Sequence, residues 1–244
     1  MNLYLTGGAV REHLFGRRSN DFDFAVESAD YTTMRDTLLL RGLHIWQERP
    51  EFVTVRGILP RGALGGDFGG LVPRDRPVPA DFTLCRAEAQ YSDKRHPDTV
   101  TPTDLQTDLR RRDFTINAVA VSVHGVWFDA FGGRSDALNH TLRTVGKAHD
   151  RFTEDPLRML RAVRFAVTCN LSWSWDLSAA LSHSDVTDLI STLPHERVRE
   201  ELNKALRHDW RRTMLKLLVD APRLGESLHP HFPNLWLRAT TEER

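Results

Sequence analysis

The sequence contains very little cysteine and carries no net charge. Among its 244 residues, the two cysteines, Cys85 and Cys169, stand far apart and outside any Cys-x-x-Cys pattern. This spacing argues against a zinc site or a disulfide framework, so we expect two reduced, partly buried thiols. Lysine plus arginine equals aspartate plus glutamate at 33 each, so any contact with nucleic acid must come from local clusters of charge.

Long hydrophobic runs are also missing. No apolar stretch is long enough to cross a bilayer, and the N-terminus lacks a basic region followed by an apolar segment. These absences argue against a membrane role and a signal peptide, and we expect a cytoplasmic protein. Hydrophobic residues make up 40% and charged residues 27% of the chain, which is typical of a globular protein.

The first part of the sequence alternates signals for strands and helices. Asp30 is a candidate N-cap for a helix that ends at Gly42, and a further helix is predicted over 9–15. Glycine and proline are dense over 57–79, which predicts a surface loop or insertion. Apolar runs and alternation predict strands over 3–5, 22–26, 44–47, 52–56, 82–86 and 115–123.

The pattern changes to helices after Gly132-Gly133. Apolar residues at helical spacing predict helices over 154–167, 178–193 and 195–206. We therefore place a domain boundary near residue 145, between an α/β domain at 1–145 and a helical part at 146–244.

Asp21 and Asp23 stand at the start of a predicted strand. Successive side chains of a strand point to opposite faces, so the two carboxylates project together while Phe22 and Phe24 face the core. Hard oxygen ligands at this spacing suit Mg²⁺ or Mn²⁺ shared with substrate phosphates, as in phosphoryl transfer. A solvated Asp-x-Asp pair is the alternative, and the pair alone does not decide between them.

Gly7 and Gly8 lie between a predicted strand and a predicted helix. A glycine turn permits close approach to a phosphate, and the following helix N-terminus supplies free backbone amides. Arg11 lies one turn into this helix. An ordinary connection between strand and helix is the alternative interpretation.

Four motifs in a fixed order extend this pattern. They are Gly7-Gly8-Ala9-Val10-Arg11, Asp21-Phe22-Asp23, Arg111-Arg112-Asp113-Phe114-Thr115-Ile116-Asn117-Ala118 and Glu154-Asp155-Pro156-Leu157-Arg158. In these motifs the sequence resembles the bacterial-type (class II) CCA-adding tRNA nucleotidyltransferase and poly(A) polymerase family, within the polymerase-β-like superfamily. The resemblance implies an α+β fold, with a nucleotidyltransferase head of mixed sheet and flanking helices at 1–145. An all-helical neck with a short C-terminal extension is implied at 146–244.

The resemblance assigns roles to the first two motifs. It implies that Gly8 and Arg11 hold the triphosphate and that Asp21 and Asp23 hold Mg²⁺ or Mn²⁺. A third acidic residue on a neighbouring strand matches Asp81, which would bind metal or help deprotonate the RNA 3′ hydroxyl. A strand-capping role for Asp81 is the alternative.

The third motif resembles the family segment that contacts ribose and phosphates. It gives substrate roles to Arg112, Asp113 and Asn117, although Asp113 and Asn117 fit structural caps equally well. Ahead of this motif, Tyr91 to Asp98 resembles the mobile loop of the family, and the resemblance implies that this segment helps switch specificity as the product grows.

The fourth motif opens a predicted amphipathic helix. Helical projection places Asp155, Arg158, Arg161 and Arg164 on one half of its surface, which an ordinary exposed face also explains. The resemblance implies a protein template, in which Asp155 accepts from an exocyclic amine and Arg158 donates to ring and carbonyl acceptors of cytosine and adenine. Arg161 and Arg164 would help hold the nucleotide.

Two departures from the family accompany the motifs. Glu12 stands where the family usually has Asp after the motif arginine, and the sequence ends at Arg244, soon after the neck-like segment 196–202. Family members usually continue into helical domains that grip the tRNA elbow. We expect a homodimer, a partner or a shorter RNA to compensate.

The resemblance implies template-independent addition of C and A from CTP and ATP to the 3′ end of tRNA, with release of pyrophosphate. A-adding, CC-adding and poly(A)-adding enzymes keep the same motifs and stay open as alternatives. A nucleotide- or RNA-binding module without catalysis is an alternative of another class, and it predicts damage to the carboxylate pair. Asp21 and Asp23 are both intact, which favours an active enzyme.

Overall fold

The structure is a computed structural model that describes residues 1–89 and 99–231. The chain divides into two compact units, the first comprising Met1–Leu138 and the second beginning at Asn139. Within the described residues, no helix combines the length and apolar character that crossing a bilayer requires.

A mixed sheet with flanking helices forms the first unit, which confirms the predicted fold class. Its helices are α1 (Gly7–Leu14), α2 (Tyr31–Leu40), α3 (Leu105–Arg110) and α4 (Gly133–Leu138). Its strands are β1 (Asn2–Thr6), β2 (Phe22–Glu27), β3 (His44–Arg49), β4 (Thr54–Leu59), β5 (Val78–Leu84), β6 (Arg86–Ala89), β7 (Thr99–Pro102), β8 (Ala120–Ser122) and β9 (Trp127–Phe128). The main sheet has the order β3-β4-β5-β2-β1-β8-β9. Only β2 and β5 pair in parallel among these neighbours, while β6 and β7 form a separate ribbon in the described part of the chain.

Strand β2 lies near the centre of the main sheet. Phe22 and Phe24 point into the core, whereas Asp23 points to the opposite face, as the alternation predicts. The Phe24 ring stacks on Phe82 of β5 at 4.9 Å and meets Phe68 edge to face at 5.1 Å. Such ring pairs contribute about 0.5–1.5 kcal/mol each beyond their buried area. The packing therefore fixes the direction in which Asp23 projects.

Helix α2 begins where the sequence predicts. The Asp30 side chain accepts a hydrogen bond from the Thr33 amide at 2.7 Å, which caps the helix. Met34 and Leu38 are fully buried, but Leu39, expected on the same face, is 41% exposed. The apolar face is thus narrower than the sequence suggests.

The segment 57–79 was expected to be a surface loop, and this expectation is wrong in part. Strand β4 extends to Leu59 and β5 begins at Val78, so both strands run into the segment. Its apolar side chains Leu64, Phe68 and Val72 lie in the core. Isolated apolar residues among glycines and prolines carry no periodic signal, although they bury as much surface as residues in a strand.

The predicted strand over 115–123 is also wrong in part. Thr115–Asn117 forms a 3₁₀ turn, and only Ala120–Ser122 is extended as β8. Every residue from Phe114 to Val121 is buried, so apolar side chains cover all sides of this segment rather than one face. The alternation of apolar residues over 115–123 therefore does not indicate a half-buried strand.

Over 139–231, the described part of the second unit, the chain is helical apart from two short strands, β10 (Thr141–Leu142) and β11 (Ser172–Trp173), which the expected all-helical neck does not include. Its helices are α5 (Ala148–Glu154), α6 (Leu157–Thr168), α7 (Trp175–Ala180), α8 (Ser184–Thr187), α9 (His195–His208), α10 (Trp210–Leu215) and α11 (Pro222–Ser227), with 3₁₀ turns at Asp188–Thr192 and His229–His231 and a π-helix at Lys216–Asp220. Helix α9 matches the predicted 195–206. The predicted helix over 178–193 is instead broken, because His183 has an extended backbone.

The two cysteines lie inside the fold. Cys85 is 0% and Cys169 is 6% exposed, and both are free thiols. Burial raises the pKa of the Cys85 thiol, and the nearby carboxylate of Asp108 adds to this effect. A buried neutral thiol is a poor nucleophile, so Cys85 contributes packing rather than chemistry.

Candidate functional site

Parallel pairing of β2 with β5 brings the predicted carboxylates together. Asp23 and Asp81 are register partners on these adjacent strands, and Asp21 immediately precedes β2. All three line a cavity of about 380 Å³, together with Phe22, Trp46, Arg56, Pro79 and Ala80. Residues 60 positions apart in the sequence thus meet at one acidic surface. The sequence alone did not fix this register.

The pKa of the Asp23 carboxyl is raised in this cavity. Its side chain keeps an open surface, yet protein surrounds much of the carboxylate, and this desolvation is the main reason that its pKa is raised. The charge of Asp81 raises the pKa further, Arg112 and a hydrogen bond from the Gly8 amide lower it, and Asp21 raises it again. A bound cation would relieve this repulsion.

The glycine turn supports Asp23 directly. Gly7 has a backbone φ of +66° at the start of α1, and a Cβ atom built on it would lie 2.8 Å from Asp23 Oδ2. The next residue, Gly8, donates its backbone N–H to the same carboxylate. The turn therefore positions the candidate metal ligand. This close approach to a carboxylate, in addition to the approach to a phosphate expected of the turn, explains why glycine stands at residue 7.

Asp81 pairs with Arg56, a residue that the sequence analysis missed. Arg56 Nη2 and Nε lie 2.6 Å and 2.8 Å from Asp81 Oδ2. The two residues are cross-strand partners of β4 and β5. Both side chains retain solvent access, so the pair contributes at most about 1 kcal/mol and can rearrange when a substrate enters.

Within residues 1–89 and 99–231, no group of three or more His, Cys, Asp or Glu side chains is placed so that it could hold a metal ion. Mg²⁺ commonly takes only one or two protein carboxylates and completes its octahedron with water and substrate phosphates. Asp21 and Asp23, on one face and beside Asp81, provide that kind of partial donor set. The residues present therefore fit a hard divalent cation.

A second polar cluster joins the first and third motifs. Arg11 Nη1 donates to Asn117 Oδ1 at 2.9 Å, and Asn117 Nδ2 donates to Asp113 Oδ1 at 2.9 Å. Asp113 also accepts from the Phe114 amide at 2.8 Å. Asp113 and Asn117 are both buried and bonded to each other, so a structural role and a role in positioning substrate groups both stay open for them. Their hydrogen bonds fix the direction of the Arg11 guanidinium.

Arg112 lies beside this cluster. Its Nη1 donates to the Asn117 carbonyl at 3.1 Å and its Nη2 to Asp108 Oδ2 at 3.3 Å. Its Nε is buried and has no hydrogen-bond partner among the described residues. A buried guanidinium nitrogen without a partner is costly, which is consistent with a site that a substrate anion completes.

Glu12, the departure from the family pattern, bonds two arginines. Its Oε1 lies 3.1 Å from Arg11 Nη2, and its Oε2 lies 2.7 Å from Arg17 Nε. The longer side chain therefore holds Arg11 from one side while Asn117 holds it from the other. With glutamate at position 12, the Arg11 guanidinium is therefore held in a fixed position.

In the second unit, Asp155 does not lie on the helix that the sequence predicts. The predicted helix over 154–167 is split into α5 and α6, and Asp155 has an extended backbone between them, with φ −140° and ψ 100°. Pro156 explains the break, because the residue before proline avoids the helical region. Asp155 Oδ1 instead accepts from the Leu157 amide at 3.1 Å.

The three arginines of α6, at positions 158, 161 and 164, recur every third residue and share one side of that helix, whereas most of its other residues are buried. Arg158 Nη1 bonds Glu154, and Arg164 Nε lies 2.7 Å from Glu201 Oε2. The guanidinium groups of Arg161 and Arg164 lie over the Phe165 ring at 5.5 Å and 4.1 Å. The sequence analysis did not foresee that Glu154 and Glu201 would orient these arginines.

The mobile loop predicted at Tyr91 to Asp98 lies outside the described residues. The other predicted site residues lie in three places: the acidic cavity, the Arg11 cluster and the α5–α6 region.

Comparison with known proteins decides the family. A sequence model described as the poly A polymerase head domain matches residues 3–143, more than half of the chain. The chain belongs to the poly(A) polymerase head domain family. This result confirms the resemblance read from the four motifs.

Relatives of this family member match beyond the head domain. The chain is 32% identical over 248 residues to a CCA-adding enzyme from Geobacillus thermodenitrificans, covering 99% of this chain and 54% of that one. It is 35% identical over 217 residues to a CCA-adding enzyme from Lactococcus lactis, covering 88% and 50%. The chain thus spans about half the length of the curated relatives it matches.

Solved structures show the same relationship. The Bacillus stearothermophilus CCA-adding enzyme in complex with CTP matches with a TM-score of 0.73 and 28% identity, over 96% of this chain and 50% of that chain. A tRNA nucleotidyltransferase complexed with a primer tRNA and an incoming ATP analogue matches with a TM-score of 0.65 and 29% identity, over 94% and 57%. The poly(A) polymerase head domain family member therefore shares its fold with proteins that bind nucleotides and tRNA.

Proposed function

We propose that this protein is a metal-dependent nucleotidyltransferase that adds C and A nucleotides from CTP and ATP to the 3′ end of tRNA without a nucleic-acid template. The observation that carries the proposal is the meeting of Asp21, Asp23 and Asp81 in one cavity, with the glycine turn bonded to Asp23. The CCA-adding enzymes among its relatives support this choice of substrates.

Asp21 and Asp23 would hold Mg²⁺ or Mn²⁺ in this cavity. When bound, the cation neutralises charge on the triphosphate and on the reacting oxygens. Asp21 and Asp23 would bind the cation and thereby orient the triphosphate, because phosphoryl transfer needs little covalent chemistry from the protein.

The reaction forms one bond and breaks one bond at the α-phosphorus of the incoming nucleotide. The RNA 3′ hydroxyl oxygen bonds to this phosphorus, the bond to the β-phosphate bridging oxygen breaks, and pyrophosphate leaves with the electron pair. Asp81, on the strand next to Asp23, would accept the hydroxyl proton. Its pairing with Arg56 through Oδ2 would orient this carboxylate.

The Arg11 cluster would bind the triphosphate and ribose. Arg11 is fixed by Asn117 and Glu12, and Asn117 is fixed in turn by Asp113. Gly8 and Arg112 both interact with Asp23, so the triphosphate would lie beside the cation. The buried Nε of Arg112 would gain an acceptor from a phosphate oxygen.

Base choice would rest on the α5–α6 region. Asp155 would accept a hydrogen bond from the exocyclic amine of cytosine or adenine, and Arg158 would donate to the adjacent ring or carbonyl acceptor. Uracil and guanine present the opposite pattern and leave these groups unpaired. Arg161 and Arg164, held over Phe165, would support the nucleotide.

The decisive experiment uses three tRNA transcripts that lack all, two or one of the terminal CCA nucleotides. Each transcript is incubated with the protein, Mg²⁺ and each nucleoside triphosphate separately or CTP with ATP, and product lengths are resolved on a sequencing gel. The proposal predicts completion to CCA and no further growth. Addition of only C, only A, or a long A tail would identify a CC-adding, A-adding or poly(A)-adding enzyme instead. No addition to any transcript would favour a binding module without catalysis.

The homodimer or partner expected from the sequence stays a prediction. Light scattering coupled to size-exclusion chromatography, with and without tRNA, measures the mass of the complex directly. A 1:1 complex of one chain with one tRNA would contradict the homodimer.

A further inference from the structure

The glycine- and proline-rich segment 57–79 is packed tightly against the first unit. A Cβ atom on Gly66 would lie 2.2 Å from the Val123 carbonyl oxygen, so the two backbones are in direct contact. Phe68 is fully buried and meets Phe24 of the central strand β2. The interior of the segment is therefore anchored. Side chains near its end are held at a defined place.

The end of this segment lines a cavity of about 420 Å³ together with α1 and the loop 17–20. Arg17 and Arg18 of the loop and Arg76 of the segment contribute three guanidinium groups, whereas Asp75 is the acidic residue of the lining. The Arg76 side chain donates to Asn20 Oδ1 at 3.0 Å, which ties the segment to the loop. We call this group of residues the basic cavity.

The basic cavity is separate from the cluster proposed to hold the triphosphate. Ala9 and His13, four residues apart, contribute one face of α1 to the basic cavity. Arg11 lies between them in sequence and projects from the other side of the helix toward Asn117, 2.9 Å away. Helical geometry separates the direction of Arg11 from those of Ala9 and His13 by about 160°. Helix α1 thus separates the basic cavity from the Arg11 cluster.

The basic cavity also borders the acidic cavity. Asn20 lines the former and Asp21, the next residue, lines the latter. An RNA whose 3′ end approaches three carboxylates is repelled by them, and the chain has no net positive charge to offset this repulsion. The arginines of the basic cavity lie next to these carboxylates and supply a local attraction for the RNA.

We propose that the basic cavity binds the phosphodiester backbone of the RNA substrate, through Arg18 and Arg76. This inference rests on the proposed function in so far as the substrate is an RNA. Guanidinium groups match phosphate oxygens with two parallel hydrogen bonds. Arg17 is held by its ion pair with Glu12, so it contributes positive charge to the basic cavity rather than a direct contact with phosphate. The segment 57–79 thereby serves as an RNA-gripping element of the first unit.

The test compares two double variants that each remove two positive charges from the first unit. R18Q/R76Q alters the basic cavity, and R41Q/R61Q alters two exposed arginines that do not line it. Affinity for a fluorescent tRNA transcript lacking CCA is measured by anisotropy between roughly 50 and 200 mM salt. Circular dichroism melting verifies that both variants fold. Affinity for CTP is measured separately by calorimetry.

We expect R18Q/R76Q to weaken tRNA binding about tenfold and to make the slope of log K against log salt shallower by roughly 1.4 to 1.8, as the loss of two phosphate contacts requires. R41Q/R61Q should bind tRNA as the unaltered protein does, and CTP affinity should be unchanged in both. An unchanged salt slope in R18Q/R76Q would overturn the inference, and so would an equal loss in both variants. Weaker CTP binding with unchanged tRNA binding would assign the cavity to a triphosphate and would also overturn it.

Anisotropy requires no nucleotide addition, so this experiment is independent of the activity assay. If the protein adds nucleotides but R18Q/R76Q binds tRNA normally, the inference fails and the proposed function stands. If tRNA binding depends on the basic cavity but no nucleotide is added, the proposed function fails and the RNA contact stands.

Discussion

Replacing Gly7 with alanine tests the link between the glycine turn and the carboxylate cavity. Gly7 has a φ of +66°, where a non-glycine residue costs about 1–2 kcal/mol. The new Cβ atom would also lie 2.8 Å from Asp23 Oδ2, so the carboxylate must move. A displacement on the order of 1 Å at a reacting centre lowers turnover about 100-fold.

Gly16→Ala is the matched control for this prediction. Gly16 has a φ of +68°, and nothing lies within 4 Å of its Cβ position. Both variants should lose about 1–2 kcal/mol of stability, which lowers the melting temperature by roughly 2–8 °C. Only Gly7→Ala should also lose about 100-fold in the rate of CMP incorporation at saturating CTP. Equal rates for the two folded variants would refute the claim that the turn positions Asp23.

Three further predictions follow from the charges of the two units. Asp23→Asn removes a candidate metal ligand with little change in volume, so it should abolish nucleotide addition while the melting curve keeps its cooperative transition. Arg158→Ala should reduce the preference for CTP and ATP over UTP and GTP in competition assays, and unaltered selectivity would contradict the template hypothesis. Asp108→Asn should destabilise the protein by roughly 2–3 kcal/mol, less than a fully buried pair, because Arg111 and Arg112 keep some solvent access. Burial acts to raise the pKa of Asp108, but the two guanidinium groups outweigh it and hold that pKa below its usual range. The stability from this charge is complete above the ordinary Asp pKa of about 3.9 and is lost as pH falls below it, so the melting temperatures of the two proteins should converge in acid.

Local signals explain which elements the sequence predicts well. The capping carboxylate of Asp30 and the regular apolar spacing after it predict α2, and alternation around Phe22 and Phe24 predicts β2. These features depend on neighbours within one or two turns of chain. The break at Asp155 also has a local signal, because Pro156 follows it, although the helical periodicity of the residues around it favours a continuous helix.

Long-range contacts explain what the sequence could not show. The common face of Asp21 and Asp23 follows from the period of a strand, but their meeting with Asp81 depends on the parallel pairing of β2 with β5. The pair of Arg56 with Asp81 depends on the register of β4 with β5. Burial of Phe68 against Phe24 likewise requires the folded sheet.

Transfer of labelled CMP from CTP to a tRNA transcript that lacks CCA measures the proposed activity directly. We predict incorporation that requires Mg²⁺ or Mn²⁺ and disappears in Asp21→Asn and Asp23→Asn variants that still melt cooperatively. Incorporation that persists in either folded variant, or that continues in excess chelator, would contradict the assignment of these carboxylates to a metal-dependent transfer site.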